Sequence, residues 1–366
     1  MKKFKNLFLI FSSIIFILIL LELVLIFSGT YSQLTKTNLK PAISVFERPK
    51  NTTLEFEHPD LKTKHYIYYD QDGVKNSKKI RTKNKKNIIG FFGDSFTENV
   101  GVSEKFELVN ILDQSTKKYN FVNYGIEGFS IDQAFLRYYK YKNHNFNSIV
   151  YICHTDDYPR YKIIQNIKND GTFDVKEYKY SLLKKISSKL NLTYLLIDSY
   201  YKLKFILKKK EFYKNKLYLE HKINNLFSNS IVSTILKNTN PATLSQNKRN
   251  KLEENFIKVL NLFNNEVVKS GKDFYIFVYP SEKNINLFNN IELKNLNIFF
   301  LKKNVLKKNN KFINDGHWNE YGNLEVSRQI IEILTIEKNI LFENNYLNKI
   351  KKEIDEIYHS NKKIIN

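Results

Sequence analysis

Cysteine is almost missing from this 366-residue chain; Cys153, inside the apolar run SIVYICH, is the only one. That excludes an intramolecular disulfide framework and any cysteine-rich metal site, and it leaves Cys153 the part of a small buried hydrophobe. Arginine is scarce as well. Only six of the 59 basic residues are arginine, so the formal net charge of +22 is carried by lysine. Specific nucleic-acid readers show Arg-rich clusters or a recognisable motif, and neither is present. Lysine beside abundant Asn, Ile, Phe and Tyr fits a solvated surface encoded by an AT-rich genome, so no nucleic-acid partner is expected. Attraction to anionic lipid or acidic glycan stays open. The seven histidines are scattered without metal-ligand spacing, so neither a metal nor an organic cofactor is expected.

What the chain does have is apolar material, 42% of it, enough for a substantial core in one large domain with insertions. The first concentration is N-terminal. Lys2, Lys3 and Lys5 precede LFLIFSSIIFILILLELVLIFSG, interrupted by two serines and Glu22. Such a run spans a hydrocarbon core, and lysines before it favour a cytoplasmic N-terminus. A cleaved signal peptide is the competing reading, with FSGTYS as its cleavage region. Residues 1–29 are therefore expected to form a single-pass anchor in the cytoplasmic membrane, with the rest of the chain on the extracytoplasmic side.

Residues 30–85 read as a stalk and a small β-hairpin around HYIYYDQDG. Beyond them, short apolar strands alternate with helical periodicity. Strands are predicted at 87–92, 119–124, 148–153, 273–279 and 297–300. Helices are predicted in EKFELVNILDQST, over 131–141, over 251–270 and in EYGNLEVSRQIIEILTI. This alternation predicts an α/β fold, a three-layer α/β/α sandwich with a doubly wound parallel sheet over 86–335. Residues 160–250 break the pattern with lysine-rich helical pieces. They read as a helical insertion or lid, or as an amphipathic stretch on a membrane surface. Residues 336–366 form a helical tail.

In a doubly wound sheet, ligands bind beyond the carboxyl ends of the strands. Three predicted strands end in polar clusters, GDSFT, NYGIEGFS and HTDDYPR, and NDGHWNEYGN lies between the last strand and the final long helix. The sheet order would bring Ser95, Gly128, Asp156 and His317 toward one rim. Acyl transfer by serine needs a base for the hydroxyl, a carboxylate to orient the base, and donors for the oxyanion. His317 and Asp315 would supply the base and the carboxylate for the Ser95 hydroxyl, and the backbone N–H groups of Ser95 and Gly128 the donors.

At these residues the chain resembles the SGNH hydrolases, or GDSL-type esterases and acyltransferases, in their membrane-anchored envelope branch. FFGDSFTENVGV is similar to the first block, with its nucleophile at Ser95. NYGIEGFSIDQ is similar to the second, whose oxyanion-hole glycine corresponds to Gly128. DGHWNEYGN is similar to the last, which carries the acid and the base. YYDQDGVKNSKK and FYIFVYPSEKNI resemble the hairpin before the nucleophile strand and a later strand with its proline-containing loop. The resemblance covers about residues 66–335 and implies the flavodoxin-like sheet of that family. Two departures stand out. The family's Gly-x-Asn-Asp block reads His154-Thr155-Asp156-Asp157, so a carboxylate stands where an amide donor is expected. Asp156 would serve in the oxyanion hole only with a raised pKa, unless a one-residue shift lets Thr155 donate instead. Asp315 also precedes His317 by two residues rather than three, the shorter form found in cell-envelope branches. Trp318 is expected to pack beside the histidine, and Asn319 to cap the following helix.

The resemblance implies a membrane-anchored serine esterase that hydrolyses acyl esters, acetyl in first place, on envelope or secreted polysaccharide. Two alternatives stand beside it: an O-acyltransferase using the same triad, and a catalytically weak glycan-binding assembly protein, which the Asp156 replacement motivates.

Overall fold

A computed structural model of the chain describes residues 2–28, 47–75, 87–154, 163–168, 170–175, 191, 195, 199, 246–289, 296–313 and 315–360. The chain divides into two compact units, one of residues 1–41 with 178–235 and one of residues 42–177 with 236–366.

The first unit is built on helix α1 (Lys2–Ser28). Its Leu9–Ser28 portion has a mean hydropathy of 3.0, long and apolar enough to cross a membrane, a measure that signal sequences also meet. Large side chains along it are exposed, up to Phe27 at 87%. Glu22, the one carboxylate in the run, accepts from the backbone N–H and side-chain amide of Asn191 at 2.8 and 3.0 Å.

The second unit is organised by a five-stranded parallel sheet. Its strands are β3 (Ile88–Gly93), β4 (Asn120–Asn123), β5 (Phe146–Cys153), β8 (Asp273–Val278) and β9 (Asn297–Phe300), in the order β4-β3-β5-β8-β9. Strand side chains alternate between faces, and here both sets are apolar, as a sheet covered on both sides requires. Ile89, Phe91, Phe121, Val150, Ile152, Tyr275 and Phe277 join one core. That core includes helices α3 (Leu108–Gln114), α7 (Glu320–Lys338) and α8 (Asn344–Ser360). The alternate residues meet α4 (Ile131–Tyr141) and α5 (Gln246–Lys269) in an aromatic layer, and α6 (Glu282–Asn289) follows β8. Phe92 stacks on Tyr124 at 4.8 Å, and Phe263 packs on Phe274 at 4.6 Å and on Tyr138 at 5.2 Å. Full burial of each such ring contributes roughly 1.5–3 kcal/mol. Gly90 is required there, because a Cβ on it would lie 2.7 Å from the Phe146 ring. Cys153 is fully buried, as its apolar run predicts.

Predicted strands and helices match these elements, with two local differences. EKFELVNILDQST is not one helix: a 3₁₀ turn (Glu104–Phe106) and α3 are separated by Glu107, whose extended backbone lets its side chain cap the N–H of Val109 at 3.3 Å. HYIYYDQDG supplies only one arm of its hairpin. Strand β2 (Lys64–Tyr69) pairs antiparallel with the earlier β1 (Thr52–Glu57). DQDG then forms a turn in which Asp70 accepts from the N–H groups of Asp72 and Val74, with Gly73 at φ +70°. Lys75, just beyond it, bridges both Tyr69 and Asn123, attaching the hairpin to the end of β4. Within the predicted helical insertion, the described residues include a two-stranded antiparallel ladder, β6 (Ile164–Gln165) and β7 (Asp174–Val175). Most of the lysine-rich stretch lies outside the described residues.

Strand order reverses at β3, which has its sequence successor β4 on one side and β5 on the other. The carboxyl ends of β3 and β5 therefore flank a topological switch point, where doubly wound sheets place their ligands.

Candidate active site

Strand β3 ends in a turn that only glycine permits. A Cβ on Gly93 would lie 2.1 Å from Thr97 Oγ1 and 2.9 Å from the Ile152 carbonyl. Asp94 then caps helix α2 (Ser95–Glu98) by accepting from the Phe96 N–H at 2.9 Å. Ser95 thus occupies the first position of a one-turn helix, and its N–H has no acceptor among the described residues. Asn99 ends the turn in the left-handed region, φ 43°, and donates its N–H to the Ser95 carbonyl. Its side-chain amide donates to the Trp318 carbonyl at 3.3 Å and to Asn323 Oδ1 at 2.8 Å. These bonds tie the serine turn to the start of α7, 224 residues away in sequence.

The segment before α7 is equally fixed. Asn319 caps the helix through the Gly322 N–H and donates to the carbonyls of Asn309 and Lys311. Trp318 is fully buried and meets Phe96 edge-on at 5.0 Å. Gly316, at φ +79°, turns the chain between Asp315 and His317, which lets side chains two residues apart meet. His317 Nδ1 lies 2.7 Å from Asp315 Oδ1, and His317 Nε2 lies 2.7 Å from Ser95 Oγ. A carboxylate can only accept, so Nδ1 carries the proton; Nε2 of the neutral ring then accepts the serine hydroxyl. The three predicted residues are brought together in the expected relay. Burial pushes the imidazole pKa down, but the Asp315 hydrogen bond and charge, with Asp94 and Glu127 behind them, outweigh it and hold His317 above its ordinary value.

The loop after β4 lies along the serine turn. The Ile126 N–H donates to the Gly93 carbonyl at 3.1 Å, and the Glu127 N–H donates to the Glu98 carboxylate at 2.7 Å. Phe129 closes a turn onto the Ile126 carbonyl at 3.2 Å, with Gly128 in its third position at φ +78°, as a type II turn demands. Among the described residues the Gly128 N–H has no acceptor, and nothing lies within 4 Å of the place a Cβ would take. Thr155 and Asp156, the expected third contribution to the oxyanion hole, lie outside the described residues. His154 just before them is a packing residue, stacked on Phe96 at 4.0 Å and 4.4 Å from Tyr279.

Sequence reasoning missed the ionic cluster behind the serine. Glu98, fully buried, accepts from Arg48 Nε and Nη2 at 2.7 Å each, from the Tyr69 hydroxyl at 2.9 Å, and from the Glu127 N–H. Lys75 donates to the carbonyls of Glu98 and Asn99 at 2.5 and 3.1 Å, and lies 3.9 Å from the buried Glu107. Asn123 joins Glu107 to the Thr97 carbonyl. Burial lowers the Lys75 pKa and raises that of Glu107. A second buried group, His58, accepts the N–H groups of Asp60 and Leu61 at Nδ1, so its Nε2–H donates to Glu320 at 2.8 Å. Asp60 in turn accepts from the Ile313 N–H, two residues before Asp315. The hairpin thus braces both the serine turn and the histidine loop. The rarity of arginine was a signal: Arg137 is buried, and the Arg48 side chain is only 10% exposed. Among the described residues, no group of His, Cys, Asp and Glu is arranged to hold a metal.

No protein-family model matches the chain, and no curated protein matches it. Among solved structures it is similar to a member of the lipolytic protein G-D-S-L family from Veillonella parvula. The similarity is 15% identity with a TM-score of 0.34, over 69% of this chain and 99% of that one.

Proposed function

We propose that the chain is a serine esterase in which Ser95 attacks an ester carbonyl. The observation that carries this reading is the unbroken relay from Ser95 Oγ through His317 to Asp315, with both links at 2.7 Å. Neutral His317 would accept the hydroxyl proton at Nε2 as the Oγ–C bond forms. Asp315 would stabilise the resulting imidazolium and keep the ring in the tautomer that can accept. His317 would then deliver the proton to the departing alcohol, leaving an acyl-serine. Water would attack that ester by the same route, restoring the serine and releasing the acid. The backbone N–H groups of Ser95 and Gly128 would hold the oxyanion in both steps, each donor contributing on the order of a hundredfold in rate.

The substrate we infer is a small acyl ester, acetyl in first place, carried on an envelope or secreted glycan. The apolar α1 supports a membrane-anchored enzyme. The lysines before α1 favour an extracytoplasmic catalytic unit. The test uses the full chain in detergent with a chromogenic acetyl ester. Wild-type protein should turn it over, and Ser95→Ala should reduce turnover to the background rate. Equal rates in the two proteins would sink the esterase reading.

A further inference from the structure

Resting on that esterase reading, we propose that Arg48 and Glu98 are positioning residues that aim the Gly128 N–H at the oxyanion. Gly128 gains its direction from the peptide joining it to Glu127, the central peptide of the 126–129 turn. That peptide can rotate as a unit, which would swing the Gly128 N–H away from the site while leaving the closing bond of the turn intact. One end of the Glu127 residue is pinned: its N–H donates to Glu98 Oε2 at 2.7 Å. Glu98 lies in the same one-turn helix as Ser95, so the loop is referenced to the nucleophile's own backbone. The carboxylate is held in turn by the Arg48 fork, at 2.7 Å to each oxygen, and by the Tyr69 hydroxyl. Its roughly four acceptor positions are thereby filled. Arg48 also reaches the Glu127 carboxylate at 3.6 Å, gripping both sides of the link. A planar guanidinium fixes the carboxylate plane; a lysine in its place keeps the charge and loses that constraint.

The proposal is tested with Arg48→Lys in the full chain in detergent. Active serines are counted with a fluorophosphonate, and kcat per titrated serine, KM for the acetyl ester and inhibition by an alkylboronic acid are measured alongside thermal unfolding. Loss of aim should lower kcat by roughly tenfold or more with little change in KM, and weaken the boronate by a similar factor, since it mimics the tetrahedral state. A merely structural brace would lower the unfolding temperature or the titrated fraction. It would leave kcat per serine and boronate affinity within about twofold of wild type, and that result would overturn the proposal. Should Arg48→Lys fail to fold, Tyr69→Phe removes a different donor to the same carboxylate and is read identically, with about a threefold fall expected. Absence of Ser95-dependent turnover in the unaltered chain would overturn the esterase reading together with this inference; an unaltered Arg48→Lys enzyme would overturn this inference alone.

Discussion

Two carboxylates flank Ser95, and they are held in opposite ways. Asp315 is 30% exposed and engages His317 through a single bond, delivered by a two-residue turn at the edge of the unit. Glu98 is fully buried, and its side chain takes four hydrogen bonds from three different segments of the chain. An exposed ion pair contributes little to folding because solvent and salt screen it. A buried pair that loses one partner leaves a desolvated charge behind and costs far more. The contrast separates the two tasks of the region. Asp315 is placed where its charge acts on the imidazole, with little of the fold depending on it. Glu98 is placed where the fold depends on it, at the join of the hairpin, the serine turn and the Gly128 loop.

The largest effect that would break this contrast is on turnover. Asp315→Asn should reduce kcat by roughly a thousand- to ten-thousandfold, because the amide no longer secures the accepting tautomer of His317. Unfolding by denaturant should move little. The same variant carries a pH signature. In the proposed esterase His317 must be neutral to act, so activity in the parent should be lost as pH falls through its raised pKa. Removing Asp315 removes the first group that raises it, burial then dominates, and the residual activity should persist to lower pH. The stability linked to this group has the opposite sense. A raised folded pKa contributes stability that is fully present below the unfolded value, about 6.5, and is lost as pH rises through the folded one. A rate profile whose acid limb stays fixed in Asp315→Asn would place control of the imidazole elsewhere.

Glu98→Ala should act on stability as well as on rate. It takes the two 2.7 Å acceptors from the Arg48 guanidinium and leaves the Glu127 carboxylate at 3.6 Å; burial alone disfavours that guanidinium, which Glu98 now helps to hold above its ordinary pKa. The expected cost is about 3–5 kcal/mol of unfolding free energy, readable as a shift in denaturant midpoint. A change of less than about 1 kcal/mol would mean that the cluster is no more than a surface-like pair.

The same contrast separates what the sequence discloses from what it hides. The meeting of Ser95, Asp315 and His317 was legible because a Gly-Asp-Ser turn after a strand and an Asp-Gly-His turn each have a local signature, and the alternation of strands and helices sets both on one rim. The strands were legible for a similar reason: IIGFFG and SIVYIC carry apolar residues for two faces at once. Glu98 was not legible in the same way. Nothing local distinguishes a glutamate in GDSFTE that faces solvent from one that meets an arginine 50 residues earlier. Such a partner belongs to tertiary structure, and the pairing of β2 backward with β1, rather than forward, set where Arg48 would fall. The break before α3 was hidden likewise, because a helical apolar spacing continues across Glu107 while its backbone does not.

The smallest and most discriminating effect is expected at Gly128. Its φ of +78° costs an L-residue about 1–2 kcal/mol, yet no atom lies within 4 Å of a Cβ there. Alanine therefore fits in space and is opposed only by backbone preference. The turn can relieve that strain by rotating its central peptide toward the type I form, which accepts any residue at its third position. That rotation turns the Gly128 N–H away while leaving the Phe129–Ile126 bond and the surrounding packing in place. Gly128→Ala should thus lower kcat by roughly tenfold, with a fall in stability of no more than about 1–2 kcal/mol and an unchanged pH limb, since the His317–Asp315 pair is untouched. Gly125, three residues earlier, provides the contrast. A Cβ there would meet the Glu98 N at 2.6 Å and the Thr97 side chain at 2.7 Å, so Gly125→Ala must push the loop off the serine turn and disturb folding as well as rate. If Gly128→Ala retained full kcat, the oxyanion would not use that amide, whatever the standing of Ser95.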